Sequence, residues 1–162
     1  LHDARSIYIK LDFVCELSNI PKYMQVVKLD DVEIKIDTPE NIAINKLRTI
    51  STRDAVRDLY DIGMLFTDYF KIKDLNKIYK KAVLIEDNLK DILYIQGIFK
   101  LATDIINKRK NNLLLKDNVN FNKTLEKLNN TFEGLSNQLI KINNDIKIKK
   151  SHKINQINLD QS

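Results

Sequence analysis

Tryptophan is absent from these 162 residues, cysteine occurs once, histidine and proline twice each, and glycine three times. Each scarcity excludes something. A single cysteine, Cys15, cannot close an internal disulfide, so the small stapled secreted folds are ruled out and a reducing cytosol fits best. That cysteine with the distant His2 and His152 makes neither a zinc spacing nor a Cys–His nucleophile arrangement. Gly63, Gly97 and Gly134 lie too far apart to build a phosphate-binding loop. Few glycines and prolines also mean few tight turns and long helices. No stretch has the uncharged apolar run of a signal peptide or a membrane span, and the expected location is cytoplasmic, with no membrane partner.

What is present points to a globular chain. Hydrophobic residues make up 43% and charged residues 30%, enough for one domain with a helical appendage. The net charge of +5 permits nucleic-acid binding without requiring it. The chain opens with Leu1 rather than Met, on the approach to a strand, and reads as the later part of a longer protein.

Ile7, Ile9, Leu11 and Phe13 alternate with Tyr8, Lys10 and Asp12, the period-two pattern of a half-buried strand. Met24–Leu29 and Val32–Ile36 are two further strands, and their separation by Asp30-Asp31 suits a hairpin whose turn type stays open without a glycine. Residues 1–37 thus read as the end of a sheet. Helices follow over 38–110. Thr38-Pro39-Glu40 is a helix start, with a hydroxyl cap, proline in the first turn and an acid at the positive end of the dipole. That helix would bury Ile42, Leu47 and Ile50 and present Lys46. Ser51 and Thr52 interrupt it, and a second helix from about Arg53 carries the stripe Ala55, Leu59, Ile62 and Phe66.

Asp54, Asp58 and Asp61 recur at helical spacing on another stripe of this second helix. Like charges at that spacing repel, so compensation from Lys46, Arg53 or Arg57 is expected. Leu75–Ala82 and Asp87 to about Lys110 read as helices, the second with the stripe Ile92, Ile95, Phe99, Ala102 and Ile106. From Phe121 a heptad seam runs through Leu125, Leu128, Phe132, Leu135, Leu139, Ile142 and Ile146. An antiparallel hairpin with the 87–110 helix would bury it; self-association or a partner helix are the alternatives. Residues 147–162 lose the periodicity and read as a frayed basic tail.

The stretch Lys46-Leu47-Arg48, Arg53, then Arg57-Asp58-Leu59-Tyr60-Asp61-Ile62 resembles the second half of the AbiEii/AbiGii-type nucleotidyltransferase toxin family, over roughly Asp37 to Phe66. The resemblance implies transfer of a nucleotide from an NTP to an RNA acceptor such as tRNA, a toxin–antitoxin setting with an antitoxin protein as partner, and Mg²⁺ as cofactor. It implies that Lys46 contacts phosphate and that Asp58 or Asp61 orients it or the acceptor, with Arg53 and Arg57 as substrate-binding cations. Asp12 would stand where such enzymes place a third metal-binding acid. The family's glycine–serine or double-glycine motif and its Asp-x-Asp pair are not in these 162 residues, so the chain alone should be inactive. Plainer roles remain open: an exposed strand acid for Asp12, core packing for Tyr60, a local ion pair to Asp54 or Asp61 for Arg57. The competing function is a non-enzymatic helical interaction module that uses the 121–146 seam; a weaker one is a basic RNA-binding module without chemistry. The expected fold class is α+β and helix-dominated, a partial nucleotidyltransferase-type sheet followed by a helical bundle.

Overall fold

The computed structural model describes residues 24–53, 56–113, 115 and 119–159, without the side chains of Leu29, Lys150 and 152–159. The strand expected at Ile7–Phe13 lies outside them, as does Asp12. Among the described residues the fold is α+β and dominated by helices. An antiparallel hairpin of β1 (Met24–Leu29) and β2 (Val32–Asp37) leads into five helices: α1 (Pro39–Thr52), α2 (Val56–Asp68), α3 (Leu75–Val83), α4 (Ile92–Lys108) and α5 (Phe121–Leu159). The hairpin register pairs Met24 with Asp37 and Leu29 with Val32. The turn is closed by Asp30 at φ 51° in place of a glycine, a left-handed conformation that Asp tolerates better than most residues. Val26, Val32, Ile34 and Ile36 stay exposed on it.

Strand β2 passes into α1 through Thr38, whose hydroxyl accepts from the Asn41 N–H at 3.2 Å. The Asn41 amide then donates to Asp37 Oδ1 at 2.6 Å, which fixes the exit of the hairpin on the first turn of the helix. The buried side of α1 consists of Asn41, Ala43, Ile44, Leu47, Ile50 and Ser51. Ile42, expected inside, is only half-buried; the stripe is centred one step round, on Ala43 and Ile44. Leu59, Ile62 and Phe66 are buried on α2 as their spacing predicts. Glu40 anchors α1 to α3 through Lys81 at 2.7 Å and Lys77 at 3.3 Å.

Sequence periodicity predicts one helix from Asp87, but Asp87–Lys90 forms a 3₁₀ turn and α4 begins at Ile92. Asp91 is the reason. Its Oδ1 accepts from the Tyr94 N–H at 3.1 Å, capping a new helix where the old one would have continued. The Tyr79 hydroxyl on α3 donates to the Leu89 carbonyl within the 3₁₀ turn, and burial, helped by Asp91, pushes the phenol up to about 12.

Helix α5 runs back along α4. Thr103 Oγ1 donates to Asn129 Oδ1 at 3.1 Å, and the rings of Phe99 and Phe132 lie 5.6 Å apart, so lower numbers on α4 meet higher numbers on α5. Leu128, Phe132, Leu135, Leu139 and Ile142 are buried within the chain, whereas Ile146 is exposed. The seam therefore closes mostly on the chain itself, chiefly against α4, rather than standing open for a partner helix. The helix continues to Leu159, past the end of the apolar repeat. Where α5 crosses α2 the approach is close. A Cβ on Gly63 would stand 2.5 Å from Leu128 Cδ2 and 2.9 Å from Phe132 Cε2, so any larger residue would force those two buried side chains to move. Beside it, the hydroxyls of Thr67 and Thr131 are 2.8 Å apart.

Candidate active site

Helices α1 and α2 meet at a carboxylate instead of an apolar contact. Asp58, in the first turn of α2, is 7% exposed. The Lys46 ammonium on α1 donates to Asp58 Oδ1 at 2.7 Å and sits 2.6 Å from Asp61 Oδ2, one turn further along α2. Arg53, at the carboxyl end of α1, places Nη2 3.2 Å from the other Asp58 oxygen. The acid stripe is thus split, with the expected compensation coming from Lys46 and Arg53. Asp58 is turned inward between two cations, Asp61 stays 45% exposed at its side chain, and Asp54 lies outside the described residues. Burying a carboxylate without partners would cost several kcal/mol, so the cations are what permit Asp58 to stand there.

Among the described residues Arg57 makes no ion pair to Asp61, and Asp54 lies outside them. The Arg57 Nε donates to the Asn112 carbonyl at 2.8 Å, across the chain in the 3₁₀ turn Lys110–Asn112. That turn forms the far wall of a cleft of about 580 Å³ lined by Lys46, Arg53, Arg57, Asp58 and Asp61 together with Asn111 and Asn112. Five residues singled out in the sequence therefore line one cleft. Asn111-Asn112 was legible only as a helix break; the carbonyl it offers to Arg57 depends on the path of α4. Tyr60 is half-buried against the core, as packing alone would have it, and burial, then Asp61 and Asp68, raise its phenol.

The electrostatics fix the protonation state of Lys46. Burial lowers its pKa, but the hydrogen bonds and charges of Asp58 and Asp61 outweigh that and raise it above 10.5. At neutral pH it is an ammonium, a donor and a positive charge, and cannot serve as a base. Two of its three N–H groups face the carboxylates, leaving one to reach into the cleft. Among the described residues the cleft sets three cations against two carboxylates, a balance that suits a phosphate.

A metal does not fit these residues. Among the described residues no group of three or more His, Cys, Asp or Glu is placed to hold one, and the two carboxylates of the cleft already share the Lys46 ammonium. A cation between them would have to displace Lys46.

A family model described as "Nucleotidyl transferase AbiEii toxin, Type IV TA system" matches residues 2–142. The chain belongs to the AbiEii nucleotidyl transferase toxin family. No curated protein and no solved structure matches the chain. The AbiEii match reaches well beyond the 37–66 stretch on which the resemblance was first legible, and it ends at Ile142, the last buried residue of the α5 seam. Within the AbiEii region α1 and α2 are tied together by Lys46 between buried Asp58 and half-exposed Asp61. Among the described residues no helix is long and apolar enough to cross a membrane.

Proposed function

We propose that this chain carries the phosphate-contacting half of a nucleotidyltransferase site, which transfers a nucleotide from an NTP to an RNA acceptor such as tRNA. The observation that carries the reading is the Lys46 ammonium held between Asp58 and Asp61 beside Arg53, at the motif that marks the family. In this transfer an acceptor hydroxyl attacks the α-phosphorus; a new P–O bond forms, the bond to the bridging oxygen breaks, and pyrophosphate leaves. Lys46 stabilises the negative charge that builds on the phosphoryl oxygens, as preorganised donors do. Asp58 orients Lys46, because it is buried and both its oxygens are engaged. Asp61, half-open to solvent, meets the acceptor hydroxyl, and Arg53 and Arg57 bind substrate phosphate. Mg²⁺ is the cofactor that the resemblance implies. Its ligands belong to the family's Asp-x-Asp pair and to Asp12, and none of the roles given to the cleft residues passes through it. An antitoxin protein is the partner that the family's setting implies, and the cytoplasm is the expected location.

The test is transfer of label from radiolabelled NTPs to total tRNA, by a polypeptide that joins these residues to a region bearing the family's glycine and Asp-x-Asp motifs. Transfer is expected there and not from the 162 residues alone. Lys46→Ala should abolish it. Full activity in a Lys46→Ala, Asp58→Ala double variant would leave the family membership as ancestry without mechanism.

A further inference from the structure

A second cavity, of about 470 Å³, opens between the α1–α2 junction and α4. Its volume falls within the range of small-ligand sites, roughly 300–1,000 Å³. The walls are apolar, from Ile50, Leu59, Ile98 and Ile105, and Tyr94 stands on the rim with 53% of its surface exposed. Lys108 and Arg53 supply positive charge at the edge, and Lys108 makes no ion pair among the described residues. Arg109 lines the same edge, and Arg53 reaches it while also holding Asp58. Arg53 and Val56 line both this cavity and the Lys46–Asp58 cleft, so the two are neighbours across one arginine.

We propose that this cavity binds a single nucleotide, with Tyr94 as the stacking surface for its base and Lys108 and Arg53 as contacts for its phosphate. An apolar slot with an exposed aromatic ring and cations at its mouth is the combination that takes a planar base on a charged backbone. The inference rests on the nucleotidyl-transfer reading for the class of ligand, and on the cavity's own lining for the place. The nucleotide is either free NTP or the unpaired end of an RNA strand.

The experiment measures fluorescence anisotropy of the chain with two probes, N-methylanthraniloyl-ATP and a fluorescein-labelled single-stranded RNA octamer, at low salt. Binding of the first identifies free nucleotide as the occupant, and binding of the second alone identifies an RNA end. Tyr94→Ala should weaken the bound probe about 5- to 150-fold, the span that base–aromatic stacking energies correspond to. Tyr94→Trp should retain binding, since it keeps the stacking face. Lys108→Glu, an exposed change that does not threaten the fold, should weaken binding and flatten its salt dependence. Lys141→Ala, on α5, should bind as the unchanged chain does. Failure of both probes to bind, or equal binding by Tyr94→Ala and Lys108→Glu, would overturn the proposal. So would a dimer that Tyr94→Ala dissociates, because the cavity would then be covered by a second copy. Absence of transfer from the unsubstituted polypeptide that carries the family's glycine and Asp-x-Asp motifs, with cavity binding intact, would count against the transferase reading and leave the cavity standing.

Discussion

Helices α4 and α5 meet along a dry stripe of Phe99, Phe132 and aliphatic side chains, while α1 and α2 meet around Asp58 and its cations. Both junctions are buried, but they obey different arithmetic. The apolar stripe is non-directional: each side chain contributes in proportion to the area it removes from water, about 1.5–3 kcal/mol for a large residue. The polar junction gains little net stability, because desolvating Asp58 consumes most of what Lys46 and Arg53 return. Its value is positional. A carboxylate with one oxygen on each of two cations can sit in one place only, and the neighbouring α2 and α1 turns are held with it.

The difference can be broken first at the seam. Phe132→Ala should lower unfolding stability by about 3–5 kcal/mol, and Leu128→Ala or Leu135→Ala by about 2–5 kcal/mol. Ile146→Ala, on the exposed continuation of the same repeat, should stay within about 0.5 kcal/mol. Urea unfolding measures all four, and an Ile146→Ala loss as large as that of Leu135→Ala would mean that the seam extends past Ile142.

A smaller effect is expected at the polar junction, with a different signature. Lys46→Ala should cost about 1–3 kcal/mol by leaving buried Asp58 with Arg53 alone. Lys46→Met combined with Asp58→Leu should recover much of that loss, since an apolar pair leaves no unsatisfied charge. No such recovery is available at the seam. A double variant as unstable as the sum of its singles would show that the junction behaves like the stripe.

The smallest effect concerns pH and the Glu40 tie between α1 and α3. Burial raises the Glu40 pKa, but Lys81 and Lys77 more than offset it and hold the carboxyl below its ordinary 4.5. Its contribution is therefore complete above pH 4.5 and is lost as pH falls through the lowered value. Glu40→Gln should flatten that acid limb of the thermal-stability profile, by less than about 1 kcal/mol because Lys77 is largely exposed. Lys46 is shifted the other way: its raised pKa keeps its contribution whole below 10.5, to be lost only at still more alkaline pH. Lys46→Ala should accordingly leave the shape of the stability profile unchanged between about pH 6 and 9.

The seam was legible because a repeat of three and four residues has few ways to be buried, and Phe121 to Ile146 announces it without help from the rest of the chain; that burial stops at Ile142 is not in the repeat. Lys46, Arg53, Asp58 and Asp61 were legible as a set because their motif marks a family. That Asp58 rather than Asp61 turns inward was not legible, since both stand at the same helical spacing and only the crossing of α1 over α2 separates them. The start of α4 departs from the periodicity for a local reason, because Asp91 acts as a cap where the apolar stripe alone implies a helix interior. The Asn112 carbonyl and the Tyr94 cavity depend on where α4 ends relative to α2, which no residue pattern encodes.

Gly63 gives the two junctions a shared tolerance. It stands five residues after Asp58 on the same helix and is pressed against Leu128 and Phe132. One methyl group there would have to displace Leu128 and Phe132 from the seam or move α2 off α5, and a stiff rod displaced at one point carries the rest with it. Placement errors of about 1 Å can cost a catalytic site a hundredfold in rate. The alignment of Lys46 with its two carboxylates is thus calibrated by an atom that is missing on the opposite side of the helix, and a mutation that never touches the cleft can detune it.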